Sequence, residues 1–382
     1  MIIQVVDKNN QPAAAAASVD DAAHAGLLDD LLGRAASCFA RRETRQTCRD
    51  MVNGLLAELD DHNCETMAEA AGHSGPHRMQ HFLSRARVDD QGILDAAADW
   101  AAEHLAEGQD SSDVILIVDD TGDAKSSTDF VGAARQDSGT LRQVALCQVT
   151  VTLTLAAPAG HALAGRALYL PEDRAADDER RELAGVPDDV TFATKPQLAG
   201  TLLQQASDRG TRAGLVTADE GYSGHDLRKS IRELGLGYVT AVRSNYPVTL
   251  PSGRKTTVKK AAALVKPGMW QPMRTGQATK GAKDYDWAMM ETAPDDTPDG
   301  HEPGHAVLLL RKHRYTGTVS YYLCWTAEPV PLAKLIQAAV ARWKIEEDHQ
   351  QSKQVTHLDA GQVTTWTSWH RWTAVSLLAY AF

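Results

Sequence analysis

Paired cysteines, a basic leader and long apolar runs are all missing from this chain of 382 residues. Its five cysteines, Cys38, Cys48, Cys64, Cys147 and Cys324, form no C-x-x-C pair and are odd in number. That usage suits unpaired thiols in a reducing cytoplasm. The opening "MIIQVVDKNN" has no basic region followed by an apolar core, so no secretory signal is expected. No run reaches the about 18 apolar residues a membrane span needs. Positive charge is also short. The formal net charge is −11, which at first sight argues against a polyanionic partner.

What is present qualifies that average. Ser252 to Lys283 holds eight Lys or Arg and no Asp or Glu. Among them are Arg254, Lys255, Lys259, Lys260 and Arg274. Arg34, Arg41, Arg42, Arg45 and Arg49 cluster against only Glu43 and Asp50. Binding to phosphates depends on such local patches rather than on net charge. With 43% apolar and 23% charged residues, the rest reads as an ordinary soluble protein of two or three domains.

Two tempting motifs carry little. "HEPGH" places His301, Glu302 and His305 in the H-E-x-x-H order of zinc peptidases. That order works only on a helix, where both histidines share a face. Pro303 and Gly304 oppose a helix, and "AVLLL" after them predicts a strand. "TGDAKSSTDFVG" lacks the G-x4-G-K-[ST] arrangement of a phosphate-binding loop.

Along the chain, residues 1–22 include an Ala-rich stretch and predict a flexible leader. Residues 23–110 show apolar spacing of three and four throughout, an all-helical domain. Within it "CETMAEAAGHSGPHRMQHFLSRA" has the outline of a helix-turn-helix. From 111 to 245 short apolar strands alternate with helices. Residues 246–328 read as a basic, β-rich insertion, and 329–382 as a long helix followed by a C-terminal helix. The fold class is therefore α/β, a mixed sheet flanked by helices, interrupted by the insertion and preceded by an all-α domain.

Two strands end in acids, Asp119 and Asp120 in "IVDDTG", and Asp219 and Glu220 in "VTADEGY". Strand alternation lets only one of each neighbouring pair face a given side. On the long helix Arg342, Glu346 and Lys353 fall within 40° of one stripe at about 100° per residue. They border an apolar face of Leu332, Ile336, Val340 and Trp343. A carboxylate flanked by cations makes sense if it holds metal while the cations bind phosphate. Carboxylates, phosphate oxygens and water are what Mg²⁺ accepts.

The order strand acid, strand acid, helix Arg-x3-Glu-x6-Lys resembles the bacterial insertion-sequence transposases of the DDE superfamily, whose core has the RNase H-like fold. Their Tyr-x2-Arg-x3-Glu-x6-Lys signature is matched at Arg342, Glu346 and Lys353, with Ala339 standing at the Tyr position. Asp119 fits their D-x-T context and Asp219 their A-D-x-x-Y context. The resemblance covers about residues 113–245 and 330–382. It implies that Asp119, Asp219 and Glu346 hold two Mg²⁺ ions, with Mn²⁺ as a substitute. It further implies double-stranded DNA as substrate, at terminal inverted repeats and target DNA, with cut-and-paste strand transfer. Arg342 and Lys353 would grip phosphates, and the basic insertion would contact the backbone through its cations. Trp270, Trp287 and Trp325 are candidates to stack an unpaired base. Asp120 rivals Asp119 as first ligand, while Glu220 and Glu347 read as neighbours. A homodimer on DNA, a nucleoid-associated cytoplasmic location and no membrane contact complete the expectation. The competing expectation is a transposase-derived DNA-binding regulator without catalysis.

Overall fold

The structure, a computed structural model, describes residues 21–139, 143–278 and 281–382, with the side chains of 21–24, 138 and 274–284 outside the description. The leader expected at 1–22 thus lies outside the described residues except for its last two, which open the first helix.

Five helices come first: α1 (Asp21–Arg34), α2 (Arg42–Leu56), α3 (Cys64–Ala70), α4 (His77–Ser84) and α5 (Asp90–Ala106). Their starts follow local chemistry. Asn63 caps α3 and closes a capping box with Thr66, and Asp89 accepts from Gly92 N at the start of α5. Gly72 takes a positive φ of 75° just past α3, where a side chain would strain the turn. The helix-turn-helix outline of α3 and α4 is present.

The sheet follows: β1 (Ile115–Ala124), β2 (Ala134–Ser138), β3 (Gln143–Ala157) and β4 (Gly160–Tyr169). Next come α6 (Glu172–Ala175), α7 (Asp178–Ala184), α8 (Lys195–Asp208), β5 (Leu215–Ala218), α9 (His225–Glu233) and β6 (Gly237–Val242). The insertion contributes β7 (Pro247–Thr249), β8 (Lys255–Thr257), α10 (Val258–Ala262), β9 (Gln271–Ala278), β10 (Gly281–Thr292), β11 (His305–His313) and β12 (Val319–Thr326). The chain closes with α11 (Leu332–Ala341), α12 (Trp343–Val355) and α13 (Trp366–Ala381).

Strand order is β2-β3-β1-β5-β6-β12-β11-β10-β9, with β4 also on β3. β1, β5 and β6 are parallel, while β3 and β4 meander antiparallel beside β1. This is the mixed α/β arrangement expected of an RNase H-like core. The insertion is no separate layer. Its strand β12 pairs antiparallel with β6, so β9–β12 continue the same sheet.

Alternation along β1 sorts the core into two layers. Leu116 and Val118 face a cluster with Leu202 and Leu203 of α8 and Ile231 of α9. Ile115 and Ile117 face another with Leu335, Ile336 and Ala338 of α11 and Ile345 of α12. The C-terminal helix belongs with the N-terminal bundle. Val375 and Leu378 share a core with Met51, Phe82 and Trp100, and Arg371 donates to the Phe82 carbonyl at 2.8 Å. The single long helix expected after residue 329 is divided at Arg342. Beyond that point the apolar face departs from expectation: Trp343 is 51% exposed, and Ile345 takes the buried position instead.

Candidate active site

β1 and β5 run parallel with Val118 opposite Ala218, so Asp119 and Asp219 leave adjacent strand ends side by side. Odd positions of β1 face α11 and α12, and Asp119 follows that parity toward Glu346. Arg342 completes the arrangement. It donates to Asp119 Oδ2 at 3.1 Å and to Glu346 Oε1 at 2.8 Å, joining strand and helix through one guanidinium. Asp219 caps a short turn by accepting from Gly221 N at 2.7 Å.

Negative charge is crowded here. Burial, then the neighbouring Asp219, pushes the Asp119 carboxyl up to about 7. Burial likewise raises Asp219. Burial alone would lower the Arg342 pKa, and Asp119 and Glu346 more than reverse it. An all-oxygen set of crowded carboxylates suits a hard divalent cation. Yet among the described residues no three His, Cys, Asp or Glu side chains are gathered closely enough to hold one ion together. Arg342 fills the interval between Asp119 and Glu346, so the three-acid grip expected from sequence is not closed in this arrangement.

Lys353 lies farther along the same face. It donates to Thr121 Oγ1 at 2.8 Å and pairs with Asp123. Asp123 escaped the sequence reading, although it shares the parity of Asp119 and Thr121, a signal plain strand alternation carries.

Asp120 points to the opposite layer. It accepts from Lys195 Nζ at 2.9 Å and from the Tyr222 hydroxyl at 2.8 Å. Tyr222 ends the turn that Asp219 begins, so Asp120 ties that turn to β1. Asp120→Asn would keep an acceptor for Tyr222 and weaken the Lys195 contact. We expect a loss of roughly 1–3 kcal/mol in denaturant unfolding with retained divalent-ion binding. Loss of ion binding equal to that of Asp119→Asn would make Asp120 the ligand instead.

His349 is 9% exposed, and its Nε2 stands 2.7 Å from Thr152 Oγ1. Thr152 in turn donates to the Asp119 carbonyl at 3.3 Å, so the ring donates through Nε2 and braces the Asp119 backbone. Burial, then Lys353, lowers its pKa from 6.5 to about 4. A folded pKa below the unfolded one favours the neutral ring. Its stabilising contribution, about 3 kcal/mol, is complete above pH ~6.5 and is lost as pH falls toward the folded value. Thermal melting should therefore decline across that interval, and His349→Gln should flatten the decline. An unchanged profile in the variant would contradict this.

The remaining expected residues scatter. Arg254, Lys255, Lys259 and Lys260 are exposed on β8, α10 and the turn before them, just beyond the C-terminal end of β6. The side chain of Arg274 lies outside the described residues. Trp287 is a correction: it is 0% exposed in the core with Leu309 and Tyr322, so no base can reach its ring. Trp325 is buried too, donating to the Pro303 carbonyl at 2.7 Å. Glu220 pairs with Arg243, and Glu347 with His161, both away from the acids of interest. Ala339 is buried among the α11 contacts. The "HEPGH" segment is a loop entering β11, with Gly304 at a φ of 61° against the Trp325 ring.

With that geometry in place, comparison is informative. A family profile described as "DDE superfamily endonuclease" matches residues 34–293. The chain belongs to this family. The matched residues contain Asp119 and Asp219 and stop before the helix of Glu346. The chain is also 27% identical over 210 residues to a protein of Microchaete diplosiphon described as "Probable transposase for insertion sequence element IS701". That alignment covers 52% of this chain and 48% of the relative, so the chain spans about half the relative's length. Among the described residues no helix is long and apolar enough to cross a membrane.

Proposed function

We propose that this chain is an insertion-sequence transposase that cuts DNA at element ends and joins them to target DNA, with Asp119, Asp219 and Glu346 as its catalytic carboxylates. The observation that carries the reading is the link from Asp119 through Arg342 to Glu346, beside Asp219 on the next strand. Bound Mg²⁺, two ions in this reading with Mn²⁺ as substitute, would supply Lewis-acid activation of water or a 3′-hydroxyl and neutralise the scissile phosphate. Asp119, Asp219 and Glu346 would hold them. Arg342 must release at least one carboxylate for that to happen, and a DNA phosphate is the anion suited to receive it. Lys353, held by Thr121 and Asp123, is placed to follow the same strand.

Outside the acids, Arg254, Lys255, Lys259 and Lys260 would neutralise backbone phosphates, with Arg274 in the same insertion. The helical region 23–110 would contribute exposed Arg41, Arg42, Arg45, Arg78 and Arg85 to DNA binding. The substrates would be terminal inverted repeats and target DNA, engaged by a homodimer at the nucleoid, because two ends must be joined in one reaction.

A second reading is a DNA-binding regulator without catalysis. Arg342, which keeps Asp119 and Glu346 apart, favours it. Incubating the protein with DNA flanking its own gene and Mg²⁺, then mapping new ends, separates the two. The transposase reading expects breaks at fixed positions in inverted repeats. Footprints without breaks would favour the regulator.

A further inference from the structure

Burial of Trp287 removes the expected base-stacking residue, yet the face it lies on continues to the surface. Tyr285 sits opposite His313, Trp287 opposite Arg311, and Leu309 opposite Tyr322. Alternation therefore sets Tyr285, Arg311 and His313 on the face that also carries α11. The rings and the guanidinium form a ladder. Tyr315, 87% exposed in the β11–β12 turn, stands 5.9 Å from His313, and His313 stands 5.6 Å from Tyr285. The Arg311 guanidinium lies 4.9 Å from the Tyr285 ring and 5.8 Å from that of Tyr322. Tyr322 in turn is near enough to Arg342 to feel its charge.

Topology brings this ladder to the candidate active site. β5 and β6 are parallel, and β12 runs antiparallel to β6 with Tyr321 opposite Val242. The turn between β11 and β12 therefore leaves the sheet at the same edge where β1 and β5 deliver Asp119 and Asp219.

The turn is also pinned. His313 N donates to Thr318 O at 2.9 Å, Gly317 N to His313 O at 2.8 Å, and Thr316 N to His313 Nδ1 at 3.1 Å. Gly317 supplies the positive φ of 70° the turn requires. Arg314 is tied to Asp286 at 2.9 Å. An aromatic ring held out on a rigid turn has little ordering entropy left to lose on contact.

We propose that Tyr315, His313, Tyr285 and Arg311 form a stacking platform for unpaired DNA bases next to the cleavage site. The ligand chemistry follows from the platform's two parts. Rings and a guanidinium offer flat faces, which an intact duplex cannot use because its bases are already stacked. Arg311, Lys312 and Arg314 favour a polyanion over an apolar protein surface. That the DNA is the enzyme's own substrate rests on the transposase reading.

The test is a binding measurement and so does not depend on cleavage. Full-length protein is titrated by fluorescence anisotropy into a blunt DNA duplex and into the same duplex with a short oligo-dT tail. Wild type should prefer the tailed duplex. Tyr315→Ala should lose about 10-fold in affinity for the tail-bearing DNA and bind blunt DNA as wild type does. Tyr315→Trp should keep the preference. No preference in wild type, or equal loss on both DNAs in Tyr315→Ala, would overturn the platform. A protein that never cuts DNA but passes this test would refute the transposase reading and leave the platform standing.

Discussion

Asp219→Asn should lower divalent-dependent strand cleavage by roughly 10³-fold or more, because it removes an interaction worth several kcal/mol in the transition state. The substitution keeps the side-chain oxygen that accepts from Gly221 N, so the turn after β5 is preserved. Glu346→Gln should act similarly while weakening the Arg342 contact on α12. Both variants should retain DNA binding and wild-type circular dichroism. Cleavage by both at wild-type rates would exclude these carboxylates. Loss of DNA binding alongside activity would point to a structural defect instead.

Asp296→Ala should cost about 3–5 kcal/mol of stability, the range for breaking a buried ion pair from one side. Asp296 is fully buried and accepts from Arg228 at 2.8 Å, Arg232 at 2.7 Å and the Tyr238 hydroxyl at 2.5 Å. Arg228 and Arg232 are 1% and 2% exposed, so removal of Asp296 strands buried guanidinium charge. Asp295 compensates only in part. It reaches Arg228 at 2.8 Å, but its own side chain is 53% exposed. The network bolts the segment before β11 onto α9, the helix that follows the Asp219 turn. Denaturant unfolding should show Asp296→Ala far less stable than Asp295→Ala. Equal, small losses would mean the cluster is not the clamp between insertion and core.

Much of this was legible from periodicity. Acids at the ends of two apolar strands located Asp119 and Asp219, and the i, i+4 spacing on α12 predicted the Arg342–Glu346 contact. The choice between Asp119 and Asp120 was not legible from composition, since both end the same run. It turns on which layer each faces, and the Lys195 and Tyr222 partners of Asp120 come from distant segments. Trp287 misled because a tryptophan in a basic segment looks the same in sequence whether its strand face is covered or bare. The face is covered because β9–β12 extend the core sheet beside α11, a long-range pairing with no local signature. Trp343 misled for a related reason. Extrapolating one helical phase across residues 332–353 ignored the division at Arg342. Asp296 lay in a stretch of turn formers, where nothing local announces two buried arginines.

The account stands on Asp119, Asp219 and Glu346 acting together on a divalent cation once Arg342 has an alternative anion. Titration of Mn²⁺ followed by electron paramagnetic resonance, on full-length protein with and without duplex DNA, addresses that directly. Wild type should take up Mn²⁺ more tightly when DNA is present, and Asp219→Asn and Glu346→Gln should each lose that uptake. Mn²⁺ binding in both variants equal to wild type would contradict it.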